Sequence, residues 1–268
     1  MKNIALRNSV NILGSSGPTL LYGHGLGCNQ DMWHQVTSAF ASTHQQVLFD
    51  YVGSGTSLKS AFDESRYSTL GGYVQDVLDV CDELELHSRV TFIGHSVSCS
   101  IGLLASLARP ELFERMILLG PSPCFANHAD YFGGFELGQL EGLLLMMKSN
   151  YLGWAEYLAE MLVHVQEPES SQLRDSFCAS DPEMTRTFAQ ACFLSDDRAI
   201  LSKVTPPCLI LQHRNDCLAP LSVGDFCHAQ LQGSKLQILD VAGHCAHLSH
   251  PDLVIAAIRE YISLPLAT

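Results

Sequence analysis

The chain has 268 residues, 47% of them apolar, which is enough for one large α/β domain with a buried core and argues against disorder. Its 15 basic and 28 acidic residues leave a formal charge of −13; that charge opposes binding to nucleic acid or to anionic membranes, and no basic cluster offsets it. The N-terminus has no signal-peptide apolar core, and no apolar stretch approaches the ~20 residues needed to span a bilayer, so the expectation is a soluble, cytoplasmic protein without a membrane partner.

In chain order, TLLYGHG (19–25) and QVLFDY (46–51) are short apolar runs ending in turn residues, and they predict strands. DYVGSGTS (50–57) has glycines but lacks the third glycine and the following helix of a nucleotide loop, so it reads as a structural turn. YVQDVLDVCDELEL (73–86) places Val74, Val77, Leu78, Cys81 and Leu84 on one helical face, with acids opposite. RVTFIG (89–94) predicts a buried strand, VSCSIGLLASLA (97–108) the helix after it, and RMILLG (115–120) another strand. Alternation of this kind predicts a mostly parallel sheet flanked by helices.

The rhythm breaks between Pro123 and Lys203, where no convincing strand is found. LGQLEGLLLMM (137–147), YLGWAEYLAEMLVHV (151–165) and PEMTRTFAQACFL (182–194) read as helices, the last starting at Asp181-Pro182 with its cap before the proline. PPCLILQ (206–212) and KLQILDV (235–241) restore the strands, and PDLVIAAIREYI (251–262) closes the chain as a helix. The expected organisation is a core of residues 1–122 and 204–268, interrupted by a helical insertion over 123–203. Two readings of the insertion stay open, a cap over the C-terminal strand ends or additional core, and the pattern favours the cap.

The ten cysteines are scattered without a CxxC pair, and several lie in apolar runs, which predicts reduced, buried thiols. His244, Cys245 and His247 are close in sequence but match no paired zinc pattern, so no metal is expected.

Gly94-His95-Ser96-Val97-Ser98 lies where a predicted strand meets a predicted helix. A G-x-S-x-G elbow lifts a serine hydroxyl above the sheet, in front of a helix N-terminus with free N–H groups. Ser98 stands at the last small position in place of glycine. A serine needs a base, and LDVAGHCAHLSHP (239–251) offers His244 directly after a strand, with His247 as second choice. The acid falls on Asp216, in the loop after PPCLILQ; Asp240, inside a strand, is the poorer candidate. The order Ser96, Asp216, His244, each after its own strand, is that of α/β-hydrolases. His24-Gly25-Leu26-Gly27 follows an early strand, and its Leu26 N–H, together with that of Val97, could receive an oxyanion.

With those residues in view, the chain resembles the α/β-hydrolase superfamily and, within it, the RsbQ-like family that includes a bacterial stress-response regulator and the plant karrikin and strigolactone receptors. The matching stretches are GHGLGCNQDMW, LFDYVGSG, GHSVS, GPSPC, GGFE, NYLGW, FLSDDR and GHCAHLSHPD, which run from near residue 20 to near residue 252. The resemblance implies a triad of Ser96, Asp216 and His244, oxyanion donors at Leu26 and Val97, and a four-helix V-shaped lid. It implies an apolar pocket lined by Leu26, Phe135, Trp154, Leu158 and Phe193. Leu26 and Leu158 depart from the family's frequent phenylalanines, which predicts a roomier or reshaped cavity.

Two functions follow as expectations. The first is cofactor-free hydrolysis of a small hydrophobic ester or lactone, in stress signalling of the RsbQ kind. The second is a slow-turnover or non-turnover sensor that binds a partner through its lid; the resemblance implies a PAS-domain phosphatase as such a partner. Haloalkane dehalogenation needs an aspartate at the elbow, where this chain has Ser96.

Overall fold

The computed structural model describes residues 3–14, 17–163 and 169–266. Seven strands form one sheet: β1 (Asn11–Leu13), β2 (Thr19–Gly23), β3 (Gln45–Leu48), β4 (Val90–His95), β5 (Phe113–Leu119), β6 (Cys208–Asn215) and β7 (Lys235–Ala242). Their spatial order is β1-β3-β2-β4-β5-β6-β7, with β1 antiparallel to β3 and every other pairing parallel. The helices of ten or more residues are α1 (Leu70–Glu83), α2 (Val97–Ala108), α3 (Leu137–Ser149), α4 (Tyr151–Val163), α5 (Glu169–Ala179), α6 (Pro182–Phe193), α7 (Leu221–Gln230) and α8 (Pro251–Ser263). This is the α/β-hydrolase fold, a mostly parallel sheet flanked by helices.

The central strands read as unbroken apolar runs because both sheet faces are buried. Successive side chains still alternate. Leu20, Tyr22, Ile93, Ile117, Leu119, Leu209 and Leu211 pack with Trp33, Phe40 and the inner face of α8. Their neighbours Leu21, Phe92, Met116, Leu118 and Ile210 enter the opposite core with α1, α2 and the inserted helices. Each predicted strand is present. β1 carries no sequence signal, since it is three residues long and largely exposed.

Between β5 and β6 the chain forms α3 to α6 and no named strand among the described residues. The pattern reading predicts three of these helices; the end of the second, residues 164–165, lies outside the described residues. α5 was absent from it because ESSQLRDSFCA is mostly polar, and Leu173 and Phe177, one turn apart, are its fully buried apolar anchors. α6 begins as expected, with the Asp181 carboxylate accepting from the Glu183 and Met184 N–H groups at 3.0 and 3.2 Å and Pro182 in the first turn. DYVGSGTS forms a turn closed by Asp50, whose carboxylate accepts from the Gln30 and Thr56 N–H groups, both at 2.9 Å. No helix among the described residues is long and apolar enough to cross a membrane.

Candidate active site

Ser96 sits between β4 and α2 with φ 57° and ψ −123°, a left-handed backbone for a non-glycine residue. Strain of this kind persists only where the surroundings enforce it. Here the Ser96 N–H donates to the Leu119 carbonyl at 2.9 Å. Glycines allow the close passage: a Cβ on Gly94 would lie 2.8 Å from the Ser98 backbone, and one on Gly23 would lie 2.8 Å from Ser98 Oγ.

That second contact explains the departure from glycine at position 98. Ser98 Oγ donates to the His24 carbonyl at 2.6 Å. Its single proton is thereby used, so the Tyr51 hydroxyl, 2.8 Å away, donates to Ser98 Oγ. Ser98 therefore ties the elbow to the His24-Gly25-Leu26-Gly27 loop. The same loop is held by His24, which donates from Nδ1 to the Gly25 carbonyl at 2.9 Å and accepts the Tyr51 N–H at Nε2 at 3.2 Å. Neither the Leu26 nor the Val97 N–H donates a hydrogen bond among the described residues. Val97 is the first residue of α2, where an amide has no partner within the helix.

Asp216 follows β6, and His244 follows β7. His244 Nδ1 lies 2.8 and 2.9 Å from the two Asp216 carboxylate oxygens. Oδ1 also accepts the Leu218 and Ala219 N–H groups at 2.8 and 3.0 Å. Burial opposes a charge on Asp216, but the His244 imidazole and the hydrogen bonds from His213 and His244 outweigh it, so its carboxyl is held well below the usual range. With Nδ1 engaged, His244 Nε2 is buried and has no hydrogen-bond partner among the described residues. It is not hydrogen-bonded to Ser96, but Ser96 and His244 line one cavity. Gly120, at φ 59°, keeps the space beside the pair: a Cβ there would approach His244 Cε1 at 3.1 Å.

The alternatives in the sequence lie elsewhere. Asp240 is exposed and paired with Arg214 at 2.6 Å. His247 is buried, with its ring centre 4.7 Å from Trp33 and 4.3 Å from His95, and burial lowers its pKa to about 3.

The cavity wall is formed by Leu26, Leu158, Leu162, Phe193 and Leu218, with the thiols of Cys28, Cys192 and Cys245 and with His95, Ser96 and His244. Leu26, Leu158 and Phe193 thus stand where the resemblance implied. Phe135 and Trp154 do not reach this wall. Phe135 is half-buried and pairs through its N–H with the Phe125 carbonyl at 3.1 Å; Trp154 is fully buried against Tyr151 and Phe177. About 20 Å³ is open to the centre of a water-sized sphere, room for roughly one water. Phe177 of α5 packs against the loop that carries Leu26: a Cβ on Gly27 would fall 1.6 Å from Phe177 Cε1.

The inserted helices also touch His244 directly. The last turn of α4 leaves carbonyls without helical partners, and the His244 N–H donates to the Leu162 carbonyl at 2.6 Å. A Cβ on Gly243 would lie 2.7 Å from the Leu162 and Val163 carbonyl oxygens.

Sequence reasoning missed His213. Its Nδ1 lies 3.2 Å from Asp216 Oδ2, and its ring is fully buried. It is an interior residue of a strand with no motif around it, so nothing local marks it. His95 was also missed; its Nε2 donates to the His244 carbonyl at 3.0 Å. Two clusters among the described residues bring three metal-ligating atoms within 4.8 Å of one another: His213, Asp216 and His244, and, away from this cavity, Cys124, His128 and Asp196.

Fold and site together define an α/β-hydrolase, and residues 20–257 match the alpha/beta hydrolase family, to which the chain belongs. Within it the chain is RsbQ-like. It is 34% identical to the Karrikin insensitive 2 receptor CA of Petunia hybrida, with 97% of each chain covered. It is 36% identical to the strigolactone esterase RMS3 of Pisum sativum, over 91% of this chain and 92% of that one. Among solved structures, a hydrolase from Oleispira antarctica superposes with a TM-score of 0.95 at 37% identity, covering 98% of this chain and 97% of the other.

Proposed function

We propose that the protein hydrolyses a small hydrophobic ester or lactone through Ser96, His244 and Asp216. The observation that carries this reading is the Asp216–His244 pair, at 2.8 and 2.9 Å, which leaves Nε2 unbonded in the cavity that holds the strained Ser96. Ser96 Oγ attacks the carbonyl carbon while His244 Nε2 takes the hydroxyl proton, and Asp216 stabilises the imidazolium. The Leu26 and Val97 N–H groups donate to the negatively charged carbonyl oxygen, each worth about 3 kcal/mol in the transition state. The imidazolium returns the proton to the leaving alcohol, and a water, deprotonated by the same nitrogen, releases the acid and regenerates Ser96. The apolar wall selects an apolar acyl group, and the esterase relatives agree with that class.

With room for about one water, the four inserted helices must shift before a substrate fits, which is why we read them as a lid. The test is turnover of a chromogenic short-chain ester. Ser96→Ala should lower kcat by at least about 1,000-fold with the fold intact, and unchanged turnover would exclude the mechanism.

The receptor relatives favour a second reading, in which binding matters more than turnover. A ligand would be held or slowly cleaved, and the displaced lid would meet a signalling protein such as a PAS-domain phosphatase, in RsbQ-like stress signalling. Slow single-turnover kinetics with ligand-dependent capture of that phosphatase would support it; fast multiple turnover without capture would discard it.

A further inference from the structure

The lid joins the core through two neighbouring passages of chain. The outgoing passage follows β5 and contains Cys124 and His128; the returning one follows α6 and contains Asp196. They are laced together: Cys124 and Asp196 form an isolated antiparallel bridge, and the Asp197 N–H donates to the Pro123 carbonyl at 2.7 Å. At this crossing a buried thiol, an imidazole and a carboxylate converge within 4.8 Å of one another. We propose that Cys124, His128 and Asp196 bind a divalent transition metal, best satisfied by zinc, which staples the two ends of the lid.

The separation of the Cys124 and His128 ligand atoms suits that ion. Zinc binds thiolate sulfur at about 2.3 Å and imidazole nitrogen at about 2.0–2.1 Å, so a tetrahedral site separates the two ligand atoms by roughly 3.5 Å. Cys124 Sγ and His128 Nε2 are 3.6 Å apart. Asp196 would supply the third ligand and solvent the fourth, a sulfur, nitrogen and oxygen set that zinc accepts readily.

Each ligand is already held. The Ser122 and Tyr131 hydroxyls donate to the Cys124 carbonyl at 3.1 and 2.8 Å. His128 and Tyr131 exchange backbone hydrogen bonds at 2.8 and 3.2 Å. Arg198 grips Asp196 through Nε and Nη2 at 2.8 and 2.7 Å, and its guanidinium stacks over the Tyr131 ring at 4.9 Å. Its backbone N–H also donates to Asp196 Oδ1, at 3.2 Å. A carboxylate offers about four lone pairs, so one remains on Oδ2. Arg198 lowers the affinity by charge but fixes the carboxylate plane, as outer-shell partners of metal ligands do. On binding, the Cys124 S–H bond breaks, the sulfur–zinc bond forms, and the proton leaves to solvent.

The inference is independent of the hydrolytic reading, and its test reads metal uptake on the full chain. Zinc is titrated in competition with a chromogenic indicator, and cobalt is followed by its thiolate-to-metal charge-transfer absorption. One zinc per chain is expected. Cys124→Ser and His128→Ala should each weaken zinc at least about tenfold, and Cys124→Ser should remove the cobalt band. His128 is exposed, so its variant serves even if Cys124→Ser folds poorly. The Ser96→Ala, Asp216→Asn and Cys178→Ser variants, the last at an exposed thiol, should all bind zinc as the wild type does. Zinc should also raise the melting temperature of the wild type but not of His128→Ala. Unchanged affinity in both ligand variants, a cobalt band that follows Cys178, uptake that vanishes with Asp216→Asn, or no saturable uptake at micromolar zinc would overturn the assignment.

Discussion

Two aspartates with fully buried side chains show how alike a structural site and a chemical site can look. Asp76 accepts from Arg7 at 3.2 Å, Arg66 at 3.0 Å, the Tyr67 hydroxyl at 2.9 Å and the Val52 N–H at 3.0 Å. Asp216 is equally saturated, by His244, His213 and the Leu218 and Ala219 N–H groups. Satisfied lone pairs do not separate the two; the ability of their partners to release a proton does. Arginine stays charged at any ordinary pH, so Asp76 stands in a fixed network that fastens α1 to the N-terminal segment. Histidine changes charge within a few pH units of neutrality, so in the proposed mechanism Asp216 steadies a partner that takes a proton from Ser96.

The difference can be broken from either side. Asp216→Asn should lower kcat for a chromogenic ester by about 10,000-fold in protein that still folds, because an amide can donate to Nδ1 and hold His244 in the wrong tautomer. Asp76→Ala should do the reverse. Removing one member of a buried ion network costs about 3–5 kcal/mol, seen in urea unfolding, with kcat per folded molecule retained. If Asp76→Ala silences turnover in folded protein, the separation of roles fails.

Mild acid should sharpen the contrast. Burial lowers the pKa of His24 and His95, and that of His247 to about 3. Their ordinary value is near 6.5, so between those limits the unfolded chain binds more protons than the folded one. Stability is then complete above about pH 6.5 and falls as pH drops, by up to about 1.4 kcal/mol per pH unit for each histidine. Asp216, whose carboxyl is depressed in the fold, withdraws its contribution only below about pH 4. A urea midpoint that declines between pH 7 and pH 5 is expected, and a flat profile over that range would contradict the buried, neutral histidines. The smallest effect belongs to His213, a positioning residue for Asp216. His213→Gln should lower kcat about tenfold with KM retained and move the pH–rate profile, given the 1.5–3 kcal/mol of a hydrogen bond to a charged group.

Much of this was legible in the sequence, and the rest was hidden for definable reasons. The central strands announce themselves because both sheet faces are buried, and β7 is apolar enough to follow them, whereas β1 is short and largely exposed. Asp216 and His244 could be nominated because each follows a strand in chain order, and the structure places them in contact. His213 could not, because its partner is defined by the bend of the loop after β6. The pocket was read from identities at single positions, which say nothing of how far a neighbouring ring reaches. Phe177, from the weakly patterned α5, packs on Gly27 beside Leu26, a contact that no residue identity announces. Ser98 looked like a poor glycine until Tyr51 and His24 were seen around it.

The central claim is that His244 activates the Ser96 hydroxyl, and a fluorophosphonate label reads that reactivity without needing the natural substrate. Labelling followed by peptide mass analysis should place a single adduct on Ser96, absent from Ser96→Ala and strongly slowed in Asp216→Asn. Equal labelling of Ser96→Ala, or an adduct on another residue of the native fold, would contradict the account.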